Sequence, residues 1–192
     1  MNKGVDVSEP LSWPLVWVDL EMTGLDPERE VIVEIAVIVT DGQLEQVHEG
    51  PDLVLHTDDD TLARMHPRVK EMHKRSGLTA EIRASELTVP EAEQEVLRFI
   101  KHYVPASSSA PLAGNSVHAD RAFLKKYMPS LEGHLHYRNV DVSTLKELAR
   151  RWHPEIVEAA PAKDGGHRAL ADIRESIKEL AHYRREMFVQ EG

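Results

Sequence analysis

The chain has 192 residues, with 33 acidic against 23 basic side chains, a formal net charge of −10 and no cysteine. A 41% hydrophobic and 29% charged content suits one compact domain and excludes a disordered chain. The missing cysteines exclude disulfides, thiolate zinc sites and thiol nucleophiles, and the acidic balance argues against a broad polybasic grip on long nucleic acid. The longest apolar run, VIVEIAVIV, is interrupted by Glu34 and is too short to span a membrane. The opening MNKGVDVSEPLSWP lacks the apolar core of a signal peptide, so a soluble, cytoplasmic protein with no membrane partner is expected. Residues 1–12 read as a frayed tail to a single domain spanning 1–192. Charge is uneven: Met1 to Pro111 holds 10 Lys/Arg and 21 Asp/Glu, whereas Leu112 to Gly192 holds 13 and 12. Solvated surfaces of different composition explain this, and so does a second half that supplies cations to an anionic ligand.

LVWVDLEMT (15–23) reads as a buried strand ended by Gly24 and Pro27. Residues 31–40 form a second strand, closed by the Asp41-Gly42 turn signal, and 46–56 a weaker third. The period then changes. Thr88 with Glu91 three residues on forms a capping box for a helix bearing Val89, Val96, Phe99, Ile100 and Tyr103 on one stripe. PLAGN is a short strand leading into a helix over 116–128. Residues 137–142 are another short strand, and Ser143 caps a helix through Trp152. A loop over 154–166 precedes a last helix from about 169 to 188. Strands first, then alternating strands and helices, imply an α/β domain with a mixed sheet.

Asp19 and Glu21 lie two apart on an otherwise apolar strand, so period 2 sends both carboxylates to one face. Unpaired carboxylates about 4 Å apart repel by roughly 4 kcal/mol at an effective dielectric near 20, so a cation should lie between them. A Lys or Arg could serve, but neither neighbour is basic. Oxygen donors without thiols favour Mg²⁺ or Mn²⁺ over zinc. Asp120, which ends GNSVHAD, falls in the first turn of the helix over 116–128, where an acid also complements the helix dipole. Asp172 sits on the apolar Ala169, Ile173, Ile177 face of the last helix and needs a partner. His167 would stand about 140° from Asp172 on one continuous helix, so it belongs to the Asp164-Gly165-Gly166 lead-in, a mobile loop beside the site, rather than being a metal ligand. Acids that hold two divalent ions, with a base for the attacking water, are the parts of two-metal phosphodiester hydrolysis.

The runs WVDLEMTGLDPER, GNSVHADRAFLKKYMP, YRNVDVSTLKELARRWHPEI and GGHRALADIRESIKEL together resemble the oligoribonucleases, small DEDD 3′-to-5′ exonucleases with a His in the third motif. The resemblance covers Leu15 to Phe188 in order. It implies an RNase H-like fold, a mixed five-stranded sheet flanked by helices. It also implies Asp19, Glu21, Asp120 and Asp172 as ligands of two Mg²⁺ or Mn²⁺ ions, and His167 as general base. The implied reaction removes 5′-mononucleotides from very short single-stranded RNA, dinucleotides above all, and the implied assembly is a homodimer. By the same resemblance Leu25 packs on a substrate base, His73 contacts the 3′ end, and Tyr137 reaches the neighbouring subunit's site. Ser116, Arg138, Ser143 and Thr144 cap the 5′ phosphate; a helix N-terminus beside an Arg suits that anion. Where many relatives carry Trp, this chain has Arg68, which either offers a cation in place of a stacking surface or points to solvent. Asp58 to Asp60 read as a solvated loop or cap, His134 and His136 as no zinc pair, and Arg150-Arg151 as a solvated helix face. Trimming of longer RNA or DNA, and a non-catalytic nucleotide-binding scaffold, remain as alternatives; the second requires loss of a ligand or of His167, and none is lost.

Overall fold

A computed structural model describes residues 11–162 and 165–188. Among these, β1 (Leu15–Met22), β2 (Ile32–Thr40) and β3 (Val47–Val54) form an antiparallel meander. Helices α1 (Asp59–Arg64), α2 (Pro67–Arg75) and α3 (Leu78–Ala84) follow, then α4 (Val89–Tyr103), β4 (Pro111–Gly114), α5 (Val117–Tyr127) and α6 (Pro129–His134). The chain continues through β5 (His136–Asp141), α7 (Val142–Trp152), α8 (Pro154–Glu158) and α9 (Ala169–Met187). The five strands lie in the order β3-β2-β1-β4-β5, with β4 parallel to both β1 and β5. The expected mixed sheet is therefore present.

All nine residues of β2 are buried, which accounts for its apolar run on both sides of Glu34. Pleating sends Val16, Val18 and Leu20 of β1 into a core with α4 and α5, whereas Trp17 faces Val142, Ala149, Ala169 and Ile173 of α7 and α9. The Trp17 indole N–H, which has to be satisfied once buried, donates to Thr40 Oγ1 at 3.0 Å. Because β1 and β2 are in register as Asp19↔Ala36 and Glu21↔Glu34, the two β1 acids share the Trp17 face, under the start of α9.

Three sequence expectations change. Residues 59–84, unassigned in the sequence, hold three short helices over a satellite core of Val33, Leu62, Met65, Leu78 and Ile82. The expected 154–166 loop begins with a helix, Pro at its first position. The cap of α7 is Asp141, not Ser143: its carboxylate accepts from Ser143 N at 2.9 Å. The capping box of Thr88 and Glu91 is present. Of the expected tail, residues 1–10 lie outside the described residues; Leu11 packs on the core and Ser12 O accepts from Gly42 N. Among the described residues no helix is long and apolar enough to cross a membrane.

Candidate active site

The site forms where β1 outruns its parallel neighbour. Pairing between β1 and β4 covers only Val16↔Leu112 and Trp17↔Ala113. Beyond it the Leu20 N–H has no strand partner on that side, and a buried amide must find an acceptor. Asp120, in the first turn of α5, supplies it: Oδ1 accepts from Leu20 N at 3.1 Å. The Asp120 carboxyl is thereby fixed beside β1 at Leu20. From the opposite side α9 brings Asp172. Oxygens of Glu21 and Asp172 and a ring nitrogen of His167 all lie within 4.8 Å of one another, close enough to share an ion. His167, which the sequence assigns to a base outside the ligand set, thus stands at the rim of a metal position; Asp164, just before it, lies outside the described residues.

Electrostatics test whether these residues fit a divalent cation. Burial, reinforced by Asp172, Glu34 and Asp120, pushes the Glu21 carboxyl up to about 8. Burial also raises Asp120 to about 7 against the pull of the Leu20 N–H, and raises Asp19 well above the usual range, with Asp120 and Asp172 adding to it. Acids this crowded cannot all ionise without compensating positive charge, and Arg168 offsets only part of it for Glu21. An all-oxygen set with one imidazole fits hard divalent ions.

A cleft of about 750 Å³ opens beside His167. Arg68, Glu71, Met72 and Arg75 of α2 line one wall, and Gly165, Gly166 and His167 the other. Arg68 therefore stands in the cleft wall. His73, on the same helix, is fully buried rather than open to the cleft. Its Nε2 bonds to Met22 O at 2.9 Å, and Nδ1, with no hydrogen-bond partner, faces Glu21 Oε2 at 3.8 Å. Burial lowers its pKa, so the imidazole is the neutral tautomer that donates from Nε2. Any contact of His73 with substrate thus runs through the Met22–Glu21 segment unless the helix moves. Leu25 is 79% exposed, at the turn after β1.

On the other side of Asp120, the α7 N-terminus gathers Ser116 and Ser143. Asp141 Oδ1 accepts from both backbone amides, at 3.0 and 2.9 Å, and the two hydroxyls are 3.2 Å apart. Thr144 is exposed in the same turn. Arg138 lies with its guanidinium 5.3 Å from the centroid of the Tyr137 ring, which is 72% exposed. Sequence reasoning missed the support beneath: Ser143 Oγ donates to Asn115 Oδ1 at 3.1 Å, and Asn115 Nδ2 donates to Ser176 Oγ at 2.7 Å. It also missed the clasp of Arg168 on Glu34, although a lone acid inside VIVEIAVIV is itself the signal of a buried partner. Asp58 caps α1, His134 is buried against Val104 O, and Arg150 and Arg151 pair with Glu147 on an exposed face.

The sheet order β3-β2-β1-β4-β5 with its flanking helices is that of the RNase H-like fold. A family model described as "Exonuclease" matches residues 16–180. Solved structures agree on the fold: a zinc-bound complex of Escherichia coli exonuclease I with single-stranded DNA has a TM-score of 0.69 at 15% identity. That match covers 92% of this chain and 41% of the other. An exonuclease I from Methylocaldum szegediense has a TM-score of 0.66 at 21% identity, covering 91% and 41%. Much nearer in sequence are an oligoribonuclease from Halorhodospira halophila, 57% identical over 91% of this chain and 94% of its own, and one from Nocardia farcinica, 54% identical over 91% and 81%. The mitochondrial oligoribonuclease of Bos taurus is 52% identical over 94% and 76%. The chain belongs to the oligoribonucleases, 3′-to-5′ exoribonucleases of the DEDDh exonuclease family.

Proposed function

We propose that this exoribonuclease acts on very short RNA, dinucleotides above all, and hydrolyses the 3′-terminal phosphodiester to release 5′-mononucleotides. The observation that carries the reading is the convergence of Glu21, Asp172 and His167 within 4.8 Å, beside the Asp120 carboxylate held on β1. Asp19, Glu21, Asp120 and Asp172 would hold two divalent ions, Mg²⁺ or Mn²⁺. Such ions, when bound, lower the pKa of water and offset charge on the phosphoryl oxygens.

The protein's own groups do the rest. His167, exposed and on a lead-in loop, takes the proton of the attacking water at a ring nitrogen. Leu25 offers an apolar face to a base, and His73 acts at the 3′ end through its contact with the Glu21 segment. Ser116, Ser143, Thr144 and Arg138 hold the 5′ phosphate: hydroxyls at a helix N-terminus, with a guanidinium nearby, suit a dianion. A strand whose 5′ end is gripped one or two nucleotides from the scissile bond has no exit for a longer chain. Tyr137, too exposed for a monomer's ring, suits insertion beside the bases of a second copy in a homodimer.

The test is release of mononucleotides from a 5′-phosphorylated dinucleotide with Mn²⁺, by wild type and Asp120→Asn. Turnover by wild type and none by the variant is expected; equal turnover by both would overturn the reading.

A further inference from the structure

His167 reaches the site in a backbone conformation that a non-glycine residue rarely adopts, at φ +49°, two residues after Gly165 at φ +63°. Such a conformation persists where the surrounding structure holds it. The next residue supplies that hold. Arg168 Nε donates to Glu34 Oε1 at 2.8 Å, and its two terminal nitrogens donate to Glu81 Oε1 and Oε2, each at 2.8 Å. The two acceptors come from different parts of the fold. Glu34 is fully buried on β2, opposite Glu21 in the strand register, and its second oxygen accepts from Ala169 N at 3.2 Å, the first residue of α9. Glu81 sits on α3, which packs against α2, the helix forming the far wall of the cleft.

We propose that Arg168 is a positioning residue for hydrolysis: by clasping Glu34 and Glu81 at once, it holds His167 against Glu21 and Asp172. The same clasp ties the α2–α3 wall to the 165–167 loop and so sets the width of the cleft. The inference rests on the reading of His167 as the base. It requires the forked geometry of arginine, since a lysine ammonium is a point donor and cannot address two carboxylates in the same plane. Arg174 serves as an internal comparison. It makes an equally good bidentate pair with Glu49, at 2.7 Å for each bond, but ties α9 to β3 and touches no part of the cleft.

The test compares wild type with Arg168→Gln, Arg168→Lys, Glu81→Ala and Arg174→Gln, as full-length chains with Mn²⁺. Amide hydrogen exchange is read in peptides spanning 165–168, and dinucleotide kinetics are resolved into kcat and KM. Arg168→Gln and Glu81→Ala are expected to speed exchange at 165–168 at least tenfold and to lower kcat about tenfold, with KM within twofold of wild type. Arg168→Lys recovers less than half of the loss, and Arg174→Gln changes nothing. Glu81→Ala leaves the buried Glu34 pair in place, so it reads the clasp even where Arg168→Gln fails to fold. Unchanged exchange and kcat in Glu81→Ala would overturn the proposal, and so would faster exchange spread evenly over α9, which marks a purely structural tie. Should wild type fail to turn over any dinucleotide, the base reading falls, and the exchange measurement still decides whether the clasp holds the loop.

Discussion

Removing divalent ions should make this protein's stability depend on pH in a direction set by Glu21. Its carboxyl is held at about 8 rather than the ordinary 4.5, chiefly by burial and then by Asp172, Glu34 and Asp120. The folded chain therefore binds that proton more tightly than the unfolded chain. The associated stability is fully present below about pH 4.5 and is lost as pH rises toward 8. At about 1.4 kcal/mol per pH unit the whole interval corresponds to on the order of 5 kcal/mol, of which roughly 2 kcal/mol falls between pH 6 and 8. A chain of 192 residues has an unfolding entropy of roughly 0.4 kcal/mol/K, so that window moves Tm by about 5 °C. The assay is thermal unfolding in chelator at pH 6, 7 and 8, repeated with Mn²⁺ and with Glu21→Gln. Tm in chelator should fall with pH. Bound ions should raise Tm and flatten the slope, because they compensate the ionised acids and bind only the folded state. Glu21→Gln should reduce the slope without metal, leaving the share that the raised Asp120 and Asp19 carboxyls contribute. A wild-type Tm independent of pH in chelator, or a slope as steep in Glu21→Gln as in wild type, would refute the argument that these acids are crowded for want of a cation.

Other outcomes follow from the same geometry. His167→Ala should lower kcat by about 10²- to 10⁴-fold while dinucleotide affinity, measured with Ca²⁺ in place of Mn²⁺, stays within a few-fold; lost affinity with unchanged kcat would deny the residue its base role. Ser143→Ala should erode the preference for a 5′-phosphorylated over a 5′-hydroxyl dinucleotide by roughly tenfold, since one hydrogen bond to a charged group is worth about 1.5 kcal/mol or more. A preference left intact argues against the cap. Light scattering at micromolar protein should give twice the 21.7 kDa chain mass, and Tyr137→Ala should raise KM without changing that mass. Particles of 21.7 kDa alone would contradict a ring acting across subunits.

The sequence displayed the parts of the site more clearly than their joints. Asp19 and Glu21 stood out because a period-2 pair of acids inside an apolar strand has no surface explanation, and β1 and β2 were legible from their β-branched runs. Asp120 looked like a helix-dipole acid, and it is one. That it also accepts from Leu20 N depends on β4 ending at Gly114, a length that no local pattern specifies. The short helices over 59–84 were silent because each is six to nine residues long and buries one or two side chains, too few for a periodic stripe. In α2 the one buried residue is a histidine, which reads as polar in any pattern. Ser143 was mistaken for the cap of α7 because two cap formers lie two residues apart, and only the backbone direction at Asp141 separates them. Arg168 gave no signal of its own: its importance lies in partners 134 and 87 residues away.

A length series tests the central claim most directly: initial rates on 5′-phosphorylated RNA of two, three, five and twenty nucleotides, at one Mn²⁺ concentration and equal 3′ ends. A pocket that grips the 5′ phosphate beside the scissile bond predicts that kcat/KM is greatest for the dinucleotide and falls at least a hundredfold by five nucleotides. A rate independent of length, or greatest for the twenty-mer, would contradict it.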